Sequence, residues 1–117
     1  MQFFYSPYLG FLQKTLGSMP GVTERLCFDT PAFYVADKLF ARMKEDGETL
    51  VLYTEEREKW MEADAKTFYI TDHYRNYKYM LVNLESIDPE LLRELLIEAW
   101  RKRATKKLLK EWDAQEK

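Results

Sequence analysis

The feature that most constrains this chain is an apolar stripe that runs straight into a block of cations. Leu91, Leu92, Leu95, Leu96, Ala99 and Trp100 recur at helical spacing behind Asp88-Pro89. That pair is a strong helix start, a capping side chain followed by a proline whose missing N–H costs nothing in the first turn. Extending the same stripe would turn Lys102, Arg103, Lys106 and Lys107 against the core, and burying unpaired charge is prohibitive. Something must therefore change within residues 101–105. Either the helix leaves the body, or it breaks and a new one starts with Thr105 as cap. The break is favoured, because Leu108, Leu109 and Trp112 define a fresh apolar face at helical spacing.

Upstream, Ser6-Pro7 reads as another cap-plus-proline start, and Tyr8, Phe11, Leu12, Leu16 and Met19 keep helical spacing up to Pro20-Gly21. A strand-rich stretch follows. Strands are expected at residues 25–28, 32–35, 38–43 and 49–53, with turns at Asp29-Thr30-Pro31, Ala36-Asp37 and Asp46-Gly47. Thr54 can cap a helix to about Ala63, where Glu55 and Glu56 suit the positive end of the helix dipole. Residues 67–71 and 77–84 read as strands, the second long, apolar and central, with a loop at 73–76 between them. The order α-β-β-β-β-α-β-β-α-α predicts an α+β fold, an antiparallel sheet with helices packed on one face.

Residues 101–110 hold Arg101, Lys102, Arg103, Lys106, Lys107 and Lys110 and no acid, so in a chain of net charge −2 the remainder carries −8. The protein is an acidic body with one basic segment. With four Gly and four Pro in 117 residues, connections should be short, and residues 1–117 are expected to form one domain. The one cysteine, Cys27, excludes an intrachain disulfide and fits a reducing compartment. The first residues lack a basic leader region, and no apolar run approaches the ~20 residues that span a bilayer. A cytoplasmic protein with no membrane partner is expected.

Catalytic chemistry is not visible. Nucleophilic catalysis by Ser or Cys needs a base beside the nucleophile, and His73 is the single histidine; a hydrogen-bonded loop residue is the simpler reading. Cys27, between Leu26 and Phe28, reads as a small buried hydrophobe. The carboxylates Glu45, Asp46 and Glu48, and those from Glu55 to Asp64, lack the alternating register of a calcium loop and read as solvated faces. No cofactor or metal is expected, and no enzyme. Two segments suggest binding. On a helix Arg103, Lys106, Lys107 and Lys110 would share a face suited to phosphates. Tyr74-Arg75-Asn76-Tyr77-Lys78-Tyr79 interleaves aromatic and basic residues, an arrangement for stacking and phosphate contact.

Four stretches, in this order and spacing, carry a family resemblance: residues 20–24 (PGVTE), 38–42 (KLFAR), 71–74 (TDHY) and 88–92 (DPELL). They resemble the MmcQ/YjbR-like family of small bacterial proteins over about residues 8–110. The resemblance implies a frataxin-like (CyaY-like) α+β fold and a DNA-binding role through a double-wing motif. Carried over by position, it places Lys38 and Arg42 in one hairpin wing, with Arg75 and Lys78 leading into another. Asn76 and Lys78 stand where the family often has Gly and Pro, which changes the local loop rather than the fold. With Arg101, Arg103, Lys106 and Lys107 of the basic segment, these are the candidate DNA contacts. The alternative is a module that binds a protein or small ligand around Tyr74, Tyr77 and Tyr79. A third reading, an enzyme or metal handler, rests on the frataxin-like fold and the acidic helix.

Overall fold

A computed structural model of the chain describes residues 4–115. Its elements are α1 (Leu9–Gly17), β1 (Val22–Cys27), β2 (Thr30–Val35), β3 (Lys38–Met43), β4 (Thr49–Tyr53), α2 (Arg57–Ala63), β5 (Phe68–Tyr69), a single 3₁₀ turn (Asp72–Tyr74), β6 (Tyr79–Asn83), α3 (Pro89–Arg103) and α4 (Lys106–Gln115). The order is the one expected from the sequence. All six strands join one open antiparallel sheet, ordered β1-β2-β3-β4-β6-β5. β6 is thus interior, as its apolar run required, and its arrival beside β4 pushes the short β5 to the edge.

The register explains the core. Met43, Leu50, Val82 and Phe68 line up across four strands, and Ala41, Leu52 and Met80 form the next row. These side chains pack with Leu12 and Leu16 of α1 and with Leu92, Leu95, Leu96, Ala99 and Trp100 of α3. Each fully buried leucine contributes about 1.5–3 kcal/mol. The intervening row, Ala32, Arg42, Val51, Leu81 and Tyr69, lies on the opposite face.

The α3–α4 break occurs where the charge argument put it. Ala104 leaves helical geometry at φ −75°, ψ 156°. Thr105 caps α4, its Oγ1 accepting from the Leu108 N–H at 3.2 Å. The bend brings Trp112 back to 5.6 Å from Trp100 (ring centres), and the Trp100 indole donates to the Pro20 carbonyl at 3.0 Å. The break also separates Arg103 from Lys106, Lys107 and Lys110. The single basic helix face expected from the sequence does not exist, because continuing one helix would have opposed cations to the core.

Other local expectations shift. The first hairpin turns at Phe28-Asp29, not at 29–31. Both residues have positive φ (52° and 67°), and Cys27 pairs directly with Thr30. A two-residue turn of this hand matches the strand twist. Pro31 then sits in β2 just before the β3 pairing begins at Ala32↔Arg42, so its missing N–H leaves no ladder bond unmade. Ser6 does not cap α1, which starts at Leu9; its hydroxyl donates to the Gly47 carbonyl at 2.6 Å and anchors the chain to the β3–β4 turn. Thr54 accepts from Glu56 N–H, but α2 begins only at Arg57. Among the described residues no helix is long and apolar enough to cross a membrane.

Candidate nucleic-acid interface

The centre of the site is a pair of tyrosines. Tyr53 and Tyr79 are register partners on β4 and β6, their rings edge to face at 5.7 Å. The Tyr79 hydroxyl donates to the Leu39 carbonyl at 3.0 Å, which draws the start of β3, and Lys38 with it, toward this pair. The Tyr53 hydroxyl donates to Glu55 at 2.8 Å. Burial pushes both phenols above their usual range; the Glu55 hydrogen bond adds to this at Tyr53, while Arg103 opposes it at both. The Arg103 guanidinium lies 4.4 Å from the Tyr53 ring centre, a cation–π contact that holds the end of α3 against β4.

Glu55 draws together two basic segments that are distant in sequence. Its carboxylate is 3.6 Å from Lys102 Nζ and 4.0 Å from Lys78 Nζ. The Tyr53 hydroxyl, then Lys102 and Lys78, hold its pKa below the ordinary carboxylate value. Exposed pairs of this kind contribute little stability; their value here is positional. Lys78, Lys102 and Arg103 therefore converge on Glu55 and Tyr53, although the sequence sets Lys78 and Lys102 more than twenty positions apart, while Lys38 is exposed at the start of β3.

The loop beside them is held from within. The Arg57 guanidinium donates through Nη1 to the carbonyls of Tyr74, Tyr77 and Tyr79, at 2.8, 2.6 and 3.1 Å, and through Nη2 to that of Arg75. One planar cation thus binds three carbonyls of the irregular segment before β6 and a fourth at the first residue of β6, an arrangement that suits the five-donor fork of arginine. The clamped loop presents Tyr77, 57% exposed, with its ring 6.2 Å from that of His73, and it presents exposed Lys78. Sequence reasoning missed Arg57; a lone arginine among the acids of a helix start carries no signal, since its partners are backbone atoms about twenty residues away.

The remaining predicted contacts fall elsewhere. Arg42 is buried, its guanidinium 3.2 Å from Glu45 and 5.4 Å from the centre of the Phe28 ring, so it is no exposed wing residue. Register explains this, because Arg42 lies in the row with Val51 and Leu81. Arg75 is exposed but paired with Asp72 at 2.7 Å, and Arg101 with Asp113 at 3.0 Å. Lys106 and Lys107 are exposed on α4, and neither forms an ion pair with the described residues.

The acids have local duties. Burial alone would raise the Asp46 pKa, but hydrogen bonds from the Glu48 N–H, the Thr49 hydroxyl and the Thr49 N–H hold it below the usual value. Asp64 is lowered chiefly by the Thr67 hydroxyl, at 2.6 Å. Among the described residues, no three His, Cys, Asp or Glu side chains gather as metal ligands.

Comparison with known proteins places this geometry in a family. A Deinococcus radiodurans protein, DR2400, whose crystal structure contains a DUF419 domain, superposes with a TM-score of 0.71 at 25% identity, over 88% of this chain and 86% of that one. No curated protein matches significantly. The YjbR family model matches residues 17–102, from the end of α1 to near the end of α3 and including the clamped loop. The chain belongs to the YjbR family.

Proposed function

We propose that this protein is a DNA-binding module that acts by contact rather than catalysis, in the cytoplasm. The observation that carries the reading is the convergence of Lys78, Lys102 and Arg103 on Glu55 and Tyr53, beside a clamped loop that exposes Tyr77. Cations supply phosphate contact and the exposed ring a stacking surface, on a backbone already held in place. Lys106 and Lys107 are further exposed cations on α4, separate from this cluster. Binding is expected to be weak, salt-dependent and largely indifferent to sequence, because Glu55 neutralises part of the cluster and the remainder of the chain is acidic.

The test is fluorescence anisotropy with a labelled duplex between about 50 and 200 mM salt. Wild type should bind with a negative slope of log affinity on log salt. Lys78→Ala should flatten that slope by about 1. No binding at the lowest salt would exclude the reading. In that event a second surface gains interest: a cavity of about 210 Å3 between β4, α2 and α3, where Leu52, Trp60, Leu91 and Leu95 form the walls and Glu56, Glu94 and Glu98 the rim. Apolar walls under an acidic rim suit a small cation with an apolar body, which a thermal-shift titration with alkylamines would detect.

A further inference from the structure

We propose that the outer edge of β1 is an interaction surface for a second copy of this chain, joined by antiparallel pairing of the two β1 strands about a two-fold axis through Leu26. This goes beyond the DNA-binding reading and uses none of its residues.

The sheet has two edges. β5 covers only Phe68–Tyr69, and a short edge is itself protection against strand addition. β1 is six residues long, pairs with β2 in an unbroken register, and has Thr23, Glu24, Arg25 and Leu26 exposed. Cys27 and Thr30 close the two-residue turn and so form a hydrogen-bonded pair, which makes Arg25 and Thr23 inward-bonding as well. The N–H and C=O groups of Glu24 and Leu26 therefore point outward. None of them takes part in a turn, loop or cap hydrogen bond among the described residues.

Edge strands are usually guarded by charges that obstruct a partner. Here both charged side chains of β1 are folded back onto their own protomer. The Glu24 carboxylate accepts from Gln13 Nε2 of α1 at 3.1 Å, and the Arg25 guanidinium lies 3.9 Å from the centre of the Tyr34 ring. What remains exposed at the edge is the uncharged Thr23 and two large apolar side chains, Leu26 at 70% and Phe28, at the turn, at 81%.

Self-complementarity selects the occupant and the register. A two-fold axis perpendicular to the sheet pairs residues of the same face. Centring it on Glu24 or Arg25 would set like charges directly opposite each other, which is destabilising. Centring it on Leu26 sets Leu26 against Leu26 with reciprocal N–H···O=C bonds. Phe28 then flanks Glu24 of the partner, and Arg25 opposes Cys27 as a non-hydrogen-bonded pair. The two sheets become continuous.

Sedimentation velocity from about 10 µM to about 1 mM should show a monomer–dimer equilibrium, and Leu26→Lys should weaken it by at least about tenfold. Since Leu26 is exposed, this variant should keep the wild-type circular dichroism. Amide exchange should protect Glu24 and Leu26 only at the dimer-forming concentrations. The register has its own test. Opposed residues of a non-hydrogen-bonded antiparallel pair have Cα atoms about 4.5 Å apart, within the range a disulfide spans. Arg25→Cys should therefore give a covalent dimer through Cys27 of the other copy under mild oxidation, while wild type gives little. A monomer throughout the range with no covalent dimer from Arg25→Cys overturns the proposal. So does a dimer unaffected by Leu26→Lys, or a monomer whose Leu26 amide is protected only by an added strand-forming peptide. None of these outcomes depends on DNA binding.

Discussion

The Arg57 clamp makes a quantitative prediction. Arg57→Ala removes the donor of four loop carbonyls at once. A hydrogen bond to a charged group contributes about 1.5–3 kcal/mol when its partner is left unsatisfied. The bonds to Tyr77 and Arg75 are exposed, so water replaces the lost donor and each costs little; those to Tyr74 and Tyr79 are partly buried. The Tyr74 carbonyl keeps the Tyr77 N–H as a donor, so counting Tyr79 near the middle of that range and the other three bonds as a few tenths each gives a loss of about 3 kcal/mol. In a chain of this size that corresponds to a fall in Tm of about 10–15 °C. Arg57→Lys should recover less than half of it, since an ammonium lacks the planar fork and cannot reach four acceptors together. Thermal and urea unfolding measure the loss, and amide exchange should show residues 72–79 opening first. If Arg57→Ala lowers Tm by less than about 2 °C and leaves exchange in the loop unchanged, the clamp does not hold the loop and the reasoning fails. If the loop is also the DNA-contacting element, affinity in the anisotropy assay should fall with its order.

Further outcomes follow from the same geometry. Glu55→Gln removes the negative charge between Lys78 and Lys102; DNA affinity should rise severalfold and the salt slope steepen, whereas unchanged binding would put the DNA elsewhere. Gly47→Ala should cost about 2 kcal/mol or more in urea unfolding, since Gly47 has φ +71° and an added Cβ would lie 2.5 Å from the Tyr5 carbonyl oxygen. Asp46, Glu55 and Asp64 all have folded-state pKa values below their ordinary ones. Their contribution to stability is therefore complete above the ordinary carboxylate range and is lost as pH falls through the lowered values. Tm should hold from pH 7 to about 5 and decline below about 4, and Asp46→Asn should make that decline shallower.

Much of this fold is legible along the chain because its signals are local. Asp88-Pro89 caps α3, Thr105 caps α4, and the collision of the apolar stripe with the cations demands the break between them; all three rest on contacts within a few residues. The strand order in sequence and the interior place of β6 follow from apolar runs and turn chemistry. The first turn was misplaced because Asp29-Thr30-Pro31 has turn composition, whereas the twist of the paired strands favours the two-residue connection at Phe28-Asp29. The site was legible in its residue types but not in its membership. Whether Arg42 is a wing residue or a buried one depends on which sheet face its register assigns it. Whether Lys78 and Lys102 meet depends on Glu55 standing between them. The composition and order of the elements are determined by the sequence itself, through short-range propensity and periodicity. Tertiary structure alone decides which charges are neutralised, which are buried, which backbone carbonyls Arg57 holds and which strand is left at the edge, because each of these depends on the packing of segments tens of residues apart.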